Sequence, residues 1–348
     1  MRIAYKDLFD AAVKILKACG ENDKNAEITA KNMCKANLRG IATHGVYLLN
    51  PIWERVKAGQ LKLPTNAVLV MDSAALAIVD GADGLGAVAG ELAIQTAIEK
   101  AKQYGASTVL IRNTNNIGAL ACYTETAAKA GMIAIMGCNA APAMAPWGGG
   151  EAFLGTNPLA VASYTGNECL FSADMATSIV ARGKIRKAAR NGETIPDNWA
   201  TDKDGNVTTD PNAALKGALL PMGGPKGSAL ALAVDIMSGI LSGASFAPDI
   251  KSFHTLEGQT GTGASMIVID ISRFLSPESF AQKMDSYRSN IKGMKKAQGF
   301  AEIFLPGEIE YNMEQQNLAK GIPMEDSEVE ALNQLLNSIG EAQLQGRQ

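Results

Sequence analysis

Between residues 67 and 270 the chain alternates short aliphatic, β-branched runs with helical segments, and this alternation restricts the fold more than any other feature. The runs are "AVLVM", "LAIVD", "STVLIR", "MIAIMGC", "LAVASY", "CLFSAD" and "ASMIVIDI". Each has strand length, and glycine, proline or asparagine punctuates the stretches between them. Helical periodicity interleaves at 90–104 and 123–131, so the centre of the chain reads as an α/β body. Helices flank it. Leu8, Ala12, Ile15 and Leu16 form one apolar stripe, and Ile28, Met33 and Ala36 suggest a second helix closing near Gly40. A third is predicted from His44 towards Gly59, with Thr43 as its cap and Pro51 bending or restarting it. In the tail, Val329, Leu332, Leu336 and Ile339 recur at helical spacing. The predicted organisation is a helical unit of 1–75 with 311–348 around an α/β unit of 76–310.

Charge and cysteine usage narrow the function classes. A net charge of −3 and an aromatic content of 5% argue against a nucleic-acid surface. Cys19, Cys34, Cys122, Cys138 and Cys169 are odd in number and widely spaced, without a CxxC pair. With 2 histidines in the chain, neither a metal site nor a disulfide framework is expected, and free thiols suit a reducing cytoplasm. Lys6 and Asp7 interrupt any signal-like run, and the longest uncharged apolar tract, 131–150, contains Asn139, Pro142 and Pro146. A cytoplasmic protein without a membrane span is expected.

Three glycine- or hydroxyl-rich stretches carry possible ligand chemistry. "DGADGLGAVAG" (80–90) is spaced GxGxxxG rather than GxGxxG, and no acidic residue follows at the right distance. It reads as a glycine turn entering a helix, so a standard Rossmann domain is not supported. In "FSADMATSIVARGKIRKAARNG" (171–192) a strand-like run ends at Asp174, and Thr177 and Ser178 precede a helix bearing Arg182, Lys184, Arg186, Lys187 and Arg190. That is the pattern of an anion site at a helix start, and equally of a capped helix with a solvated basic face. "LLPMGGPKGSALALAVDIMSG" (219–239) sets Gly223, Gly224, Pro225, Lys226 and Gly227 at the mouth of an apolar helix. The spacing is not that of a P-loop. Lys226 is either an anion ligand or a surface lysine in a tight turn.

Taken with these, "RGIATHGV", "APWGG", "LGTNPLAVA", "IPDNWATDKDGNVTTDP" and "LPGE" make the chain resemble the second type of malate/L-lactate dehydrogenase family, from about residue 5 to about residue 340. That family includes diketogulonate reductase, ureidoglycolate dehydrogenase, sulfolactate dehydrogenase and cyclic-imine reductases. The resemblance implies a non-Rossmann α/β fold with a central mixed sheet and a helical domain from both termini. It also implies a nicotinamide cofactor, a small-molecule substrate and a homodimer whose pairing covers the apolar stripes of the terminal helices. It places Ser172, Asp174, Met175, Ala176 and Thr177 against the cofactor, Lys226 and Gly227 holding it, and Pro306, Gly307 and Glu308 at its ribose end. A carboxylate there would repel a 2′-phosphate, which favours NAD over NADP. His44 falls in the family's Ser-His-Gly position, facing the nicotinamide. An imidazole titrating near ~6.5 both gives and takes a proton at neutral pH, which hydride transfer to and from a carbonyl requires.

The departures from the family pattern lie at the substrate end. Asn116 stands where a second histidine is usual, and it hydrogen-bonds an oxygen without transferring a proton. Leu48 replaces an arginine that clamps the substrate carboxylate, leaving Arg112 and Lys251 as candidate cations. The loop "FAPDIKSFHTLEGQTGTG" brings His254 instead of an acidic residue. His254 is read either as compensating for Asn116 in catalysis or as a surface histidine beside Phe253. The reading is an NAD(P)-dependent oxidoreductase acting on a 2-oxo/2-hydroxy acid or a related carbonyl or imine. The alternative, favoured by Asn116 and Leu48, is a catalytically weakened dinucleotide-binding protein with a regulatory or interaction role.

Overall fold

The computed structural model describes residues 1–346. The last two positions of the predicted C-terminal segment, 347–348, lie outside the described residues. The strands are β1 (Arg2–Ile3), β2 (Val68–Ser73), β3 (Leu76–Asp80), β4 (Ala106–Thr114), β5 (Met132–Cys138), β6 (Leu159–Ser163), β7 (Phe171–Met175), β8 (Thr262–Asp270) and β9 (Ile322–Pro323). The helices are α1 (Tyr5–Ala18), α2 (Asp23–Leu38), α3 (Leu49–Lys57), α4 (Gly86–Tyr104), α5 (Ala121–Lys129), α6 (Arg182–Asn191), α7 (Pro211–Ala214), α8 (Pro225–Asp235), α9 (Pro277–Lys292), α10 (Glu308–Lys320) and α11 (Asp326–Ser338).

Every strand run read from the sequence pairs into one 7-stranded sheet of order β2-β3-β4-β8-β5-β6-β7. Among the described residues only β3 and β4 in it run parallel, and the other neighbours are antiparallel. The sheet is mixed, as expected, and differs from the parallel sheet of a doubly wound domain. Strand alternation puts Val79, Val109, Ile111, Ala134, Met136, Met266 and Val268 on one buried face. Ala89, Ala93, Ala97 and Ala101 seat α4 against that face, because a stripe of small side chains lets the helix approach closely.

The terminal helices form a second core. Leu8, Ile15 and Leu16 of α1 meet Met33 and Leu38 of α2 and Val329, Leu332 and Leu336 of α11. The β1–β9 ladder, Arg2 opposite Pro323, ties the two ends of the chain together. These stripes are thus covered within the chain and need no second subunit to bury them. A third cluster joins Met144, Leu154, Val180, Ile185, Leu219 and Ala231 and fastens the 177–222 region to α8. No helix among the described residues is long and apolar enough to cross a membrane.

Candidate active site

The segment around His44 departs from the helix predicted for it. Ala42–His44 and Val46–Leu48 are separate 3₁₀ turns, and the α-helix starts at Leu49, just before Pro51. The break has a steric and a polar cause. A Cβ at Gly45 would collide with the side chain of Asn37, whose Oδ1 accepts the Val46 amide at 2.8 Å. Asn37 therefore occupies the space of a side chain at position 45 and pins the turn that carries His44. Thr43 does not cap a helix. Its hydroxyl lies 3.2 Å from His44 Nδ1, so the ring's Nε2 is left for other partners.

His44 lines a narrow cavity of ≈ 20 Å³ with Asn116, Asn115, Leu48, Met33, Ile52 and Phe253. That volume holds about one water. Burial pushes the His44 imidazole below its ordinary 6.5, so at neutral pH it is uncharged and basic. The Asn116 Oδ1 accepts the Gly118 amide at 2.9 Å, which leaves its NH₂ free to donate. Leu48 is buried in the wall and brings no charge. The structure thus joins His44 to Asn116, residues separated by three strands and two α-helices in sequence.

The other substrate-side candidates disperse. Phe253, not His254, reaches the cavity, while His254 lies exposed at its rim with its ring 6.0 Å from that of Tyr47. Arg112 is committed to Asp80 at 2.9 Å, and Lys251 is exposed at the base of the loop. Arg55 was invisible to sequence reasoning. It is 0% exposed, lacks a carboxylate partner among the described residues, and donates to the carbonyls of Thr255 at 2.7 Å and Gly258 at 2.6 Å. Its guanidinium also sits 5.4 Å from the Phe253 ring centroid. One buried cation therefore holds the loop that closes the cavity. A single arginine in an amphipathic helix gives no signal of such a role.

The cofactor candidates gather along β7, the edge of the sheet. The Ser172 amide donates to Pro306 O at 3.0 Å, which docks Gly307 against the strand. Thr177 O accepts the Met222 amide at 2.9 Å, which ties the loop leading into α8 to the residues just after β7. Asp174 Oδ2 accepts the Ala121 amide at 2.9 Å, tying β7 to the start of α5 and through it to the Asn116 segment. Burial raises the Asp174 carboxyl above its ordinary value, with the amides of Ala121 and Leu120 offsetting part of the effect.

Several of these side chains are already occupied. Both the amide and the hydroxyl of Thr177 donate to Thr156 O at 2.9 Å. Gly227 is needed by its own loop, since a Cβ there would strike Met222 O. Ser172 Oγ donates to Glu125 at 2.7 Å. Burial alone would raise the Glu125 carboxyl, but Lys35 and Arg39 beside it hold it below the ordinary value. Glu308 pairs with Arg288 at 2.8 Å and Lys292 at 2.7 Å, both from α9, a helix with no buried residue. A carboxylate neutralised by two cations does not repel a 2′-phosphate, so Glu308 gives no ground for preferring NAD. Lys226 and Met175 remain exposed, and Lys226 has no ion pair or hydrogen bond among the described residues. An unpaired lysine in the first turn of α8 fits the diphosphate of a dinucleotide.

Residues 3–333 match the family described as malate/L-lactate dehydrogenase. The chain belongs to this family. It is 39% identical over 328 residues to L-sulfolactate dehydrogenase of Methanocaldococcus jannaschii, covering 94% of each chain. A solved structure of sulfolactate dehydrogenase from that organism superposes with a TM-score of 0.92 at 38% identity, over 98% of both chains. Malate dehydrogenase of Pyrococcus horikoshii is 36% identical over 98% of this chain and 96% of its own. Ureidoglycolate dehydrogenase (NAD(+)) of Escherichia coli is 32% identical over 94% and 93%. Membership makes the chain an oxidoreductase acting on hydroxy acids. Within the malate/L-lactate dehydrogenase fold, Gly307 packs on Ser172 of β7, Asp174 of the same strand holds Ala121, and the chain leading into Ala121 carries Asn116 to His44.

Proposed function

We propose that this dehydrogenase transfers hydride between NAD or NADP and a 2-oxo/2-hydroxy acid or a related carbonyl or imine, with His44 as acid and base. The observation that supports this reading is the shared cavity of His44 and Asn116, with β7 tied by Asp174 to Ala121, five residues after Asn116 in the chain. Lys226 binds the cofactor diphosphate, and Met175, Ala176 and Gly307 border the dinucleotide along β7. Bound nicotinamide supplies the hydride donor and acceptor. In oxidation, neutral His44 takes the hydroxyl proton on Nε2, while the Thr43 hydroxyl at Nδ1 fixes the ring. In reduction, the imidazolium returns that proton to the forming alkoxide. Asn116 donates to the same oxygen and orients it. Phe253 excludes water from the cavity, and His254 contacts the substrate from the rim.

The protein works in the cytoplasm as a homodimer. Its five cysteines are unpaired thiols, and burial pushes those of Cys34, Cys122 and Cys138 up to about 12. The sheet face opposite α4 carries half-buried Ile133, Ile135, Leu159, Val161, Ile267 and Ile269, and α8 and its continuation expose Leu230, Leu232, Ile236 and Ile240. Continuous apolar surface of that kind supports pairing with a second copy. NADH and NADPH oxidation against a panel of 2-oxo acids tests the activity. Turnover that depends on His44 supports it, and cofactor binding without turnover of any acid favours the weakened, non-catalytic alternative.

A further inference from the structure

Leu48 leaves the His44 cavity without a cation, and most arginines nearby are committed elsewhere. Arg112 pairs with Asp80, Arg55 holds loop carbonyls, and Arg182 donates to Leu215 O at 2.6 Å. Arg186 and Arg190 are both exposed, and no hydrogen bond or acidic partner engages either among the described residues; of the two, Arg186 is the one whose charge bears on His254. Its helix, α6, lies against the turn that carries His44. A Cβ at Gly183 would sit 3.9 Å from Thr43 Cγ2, and Arg190 lines an open pocket of ≈ 560 Å³ with Thr43, Tyr47 and Asn50. Positions 183, 186 and 190 recur at three- and four-residue spacing and so share one helix face. Arg186 lies between Gly183, which approaches Thr43, and Arg190, which shares the open pocket with Thr43, Tyr47 and Asn50. Tyr47 in turn packs its ring beside His254 at the rim of the cavity.

We propose that Arg186 is a specificity-determining residue, receiving the second acid group of a dianionic 2-oxo acid whose carbonyl lies at His44. The proposal rests on the function argued above. The assignment to the second acid group follows from position: Phe253 and His254 separate the rim from the cavity, so a group held at Arg186 is distal to the reacting carbon. The planar guanidinium fork matches a carboxylate or a sulfonate in two parallel hydrogen bonds. Proximity has a second sign. After burial, the charge of Arg186 is the next cause that lowers the His254 imidazole, ahead of His44 and Arg55.

The test compares oxaloacetate with pyruvate, using NADH and the Arg186→Gln, Arg186→Lys and Lys184→Gln proteins. Lys184 points away from the shared face and serves as the control. Arg186→Gln is expected to lower kcat/KM for oxaloacetate roughly 10-fold or more, carried by KM, while pyruvate stays within about twofold. Arg186→Lys recovers part of the loss, and Lys184→Gln changes neither substrate. Equal losses on both substrates, or none, overturn the proposal. A second readout does not require turnover. The chain has 2 histidines, so the His254 signal is assignable by NMR through its loss in His254→Gln. Malonate is expected to shift that signal in the parent and not in Arg186→Gln, and its titration is expected to move upward once Arg186 is removed. A parent that turns over neither acid refutes the function, whereas an identical malonate response in both proteins refutes the Arg186 assignment alone.

Discussion

Replacing Arg55 by methionine isolates the device that closes the site. Methionine keeps the length of the side chain and fills its space but donates no hydrogen bond. The two short bonds to Thr255 O and Gly258 O disappear, and the longer approaches to Ser252 O at 3.4 Å and Gln60 O at 3.5 Å contribute little. A hydrogen bond to a charged group is worth about 1.5–3 kcal/mol net. Two are lost, but the freed carbonyls belong to a surface loop and regain water, and the desolvation of an unpaired guanidinium is relieved. The expected net effect is about 2–3 kcal/mol, localised in residues 251–260. That is less than the total stability of a typical fold, so the loop opens more often while the chain remains folded. At 1.4 kcal/mol per tenfold, its open population rises roughly 30- to 150-fold. Trypsin reports this directly, because Lys251 stands exposed at the base of the loop. When loop opening is fast relative to cleavage, the rate of appearance of the 1–251 fragment scales with the open population. Diethyl pyrocarbonate gives a parallel reading: exposed His254 reacts at the same rate in both proteins, and half-buried His44 reacts faster in Arg55→Met than in the parent. Phe253→Ala should expose His44 to the reagent without accelerating cleavage at Lys251, since the Arg55 bonds persist. Parental cleavage and parental His44 reactivity in Arg55→Met, with an unchanged Tm, would refute the reasoning.

His44→Ala is expected to lower kcat by at least ~10²-fold with NADH affinity within a few-fold of the parent. Because burial lowers the imidazole below 6.5, the base form survives to lower pH: the acid limb of kcat/KM for alcohol oxidation falls below pH 6.5, and reduction loses rate as pH rises through that same lowered value. An acid limb at or above 6.5 in the oxidation profile would remove His44 as the base. Lys226→Ala should weaken NADH binding measured by calorimetry, and equal affinities would return Lys226 to a surface role. Light scattering should give twice the 36.5 kDa of one chain, and a value near the single-chain mass would contradict the dimer.

The strands were legible because their side-chain alternation is local. A buried run such as "MIAIMGC" declares itself without reference to its neighbours, and it became β5 over Met132–Cys138. The start of α3 at Leu49 is not legible for the opposite reason. "THG" resembles a cap entering a helix, yet the space needed at Gly45 is set by Asn37, on another helix. The same limit hid α9. Its residues are all partly or fully exposed, so they carry no core periodicity to read, although its Arg288 and Lys292 settle the electrostatics of Glu308.

The sequence by itself determined the α/β body, the helical ends, the family and the position of one histidine in a family motif. Each depends on patterns within a few residues or on motif segments compared in order, and neither requires knowledge of how the chain crosses itself. Tertiary structure decided which groups remain available for chemistry. Glu308 is an acid in the sequence and a neutralised partner of two cations in the fold. Arg55 is one helix residue among many in the sequence and a buried clasp on a loop some 200 residues away in the fold. Hydrogen bonding and burial are properties of neighbours in space. A side chain's charge is written in the sequence, but whether that charge is spent on the fold or left for a substrate depends on what folding brings beside it.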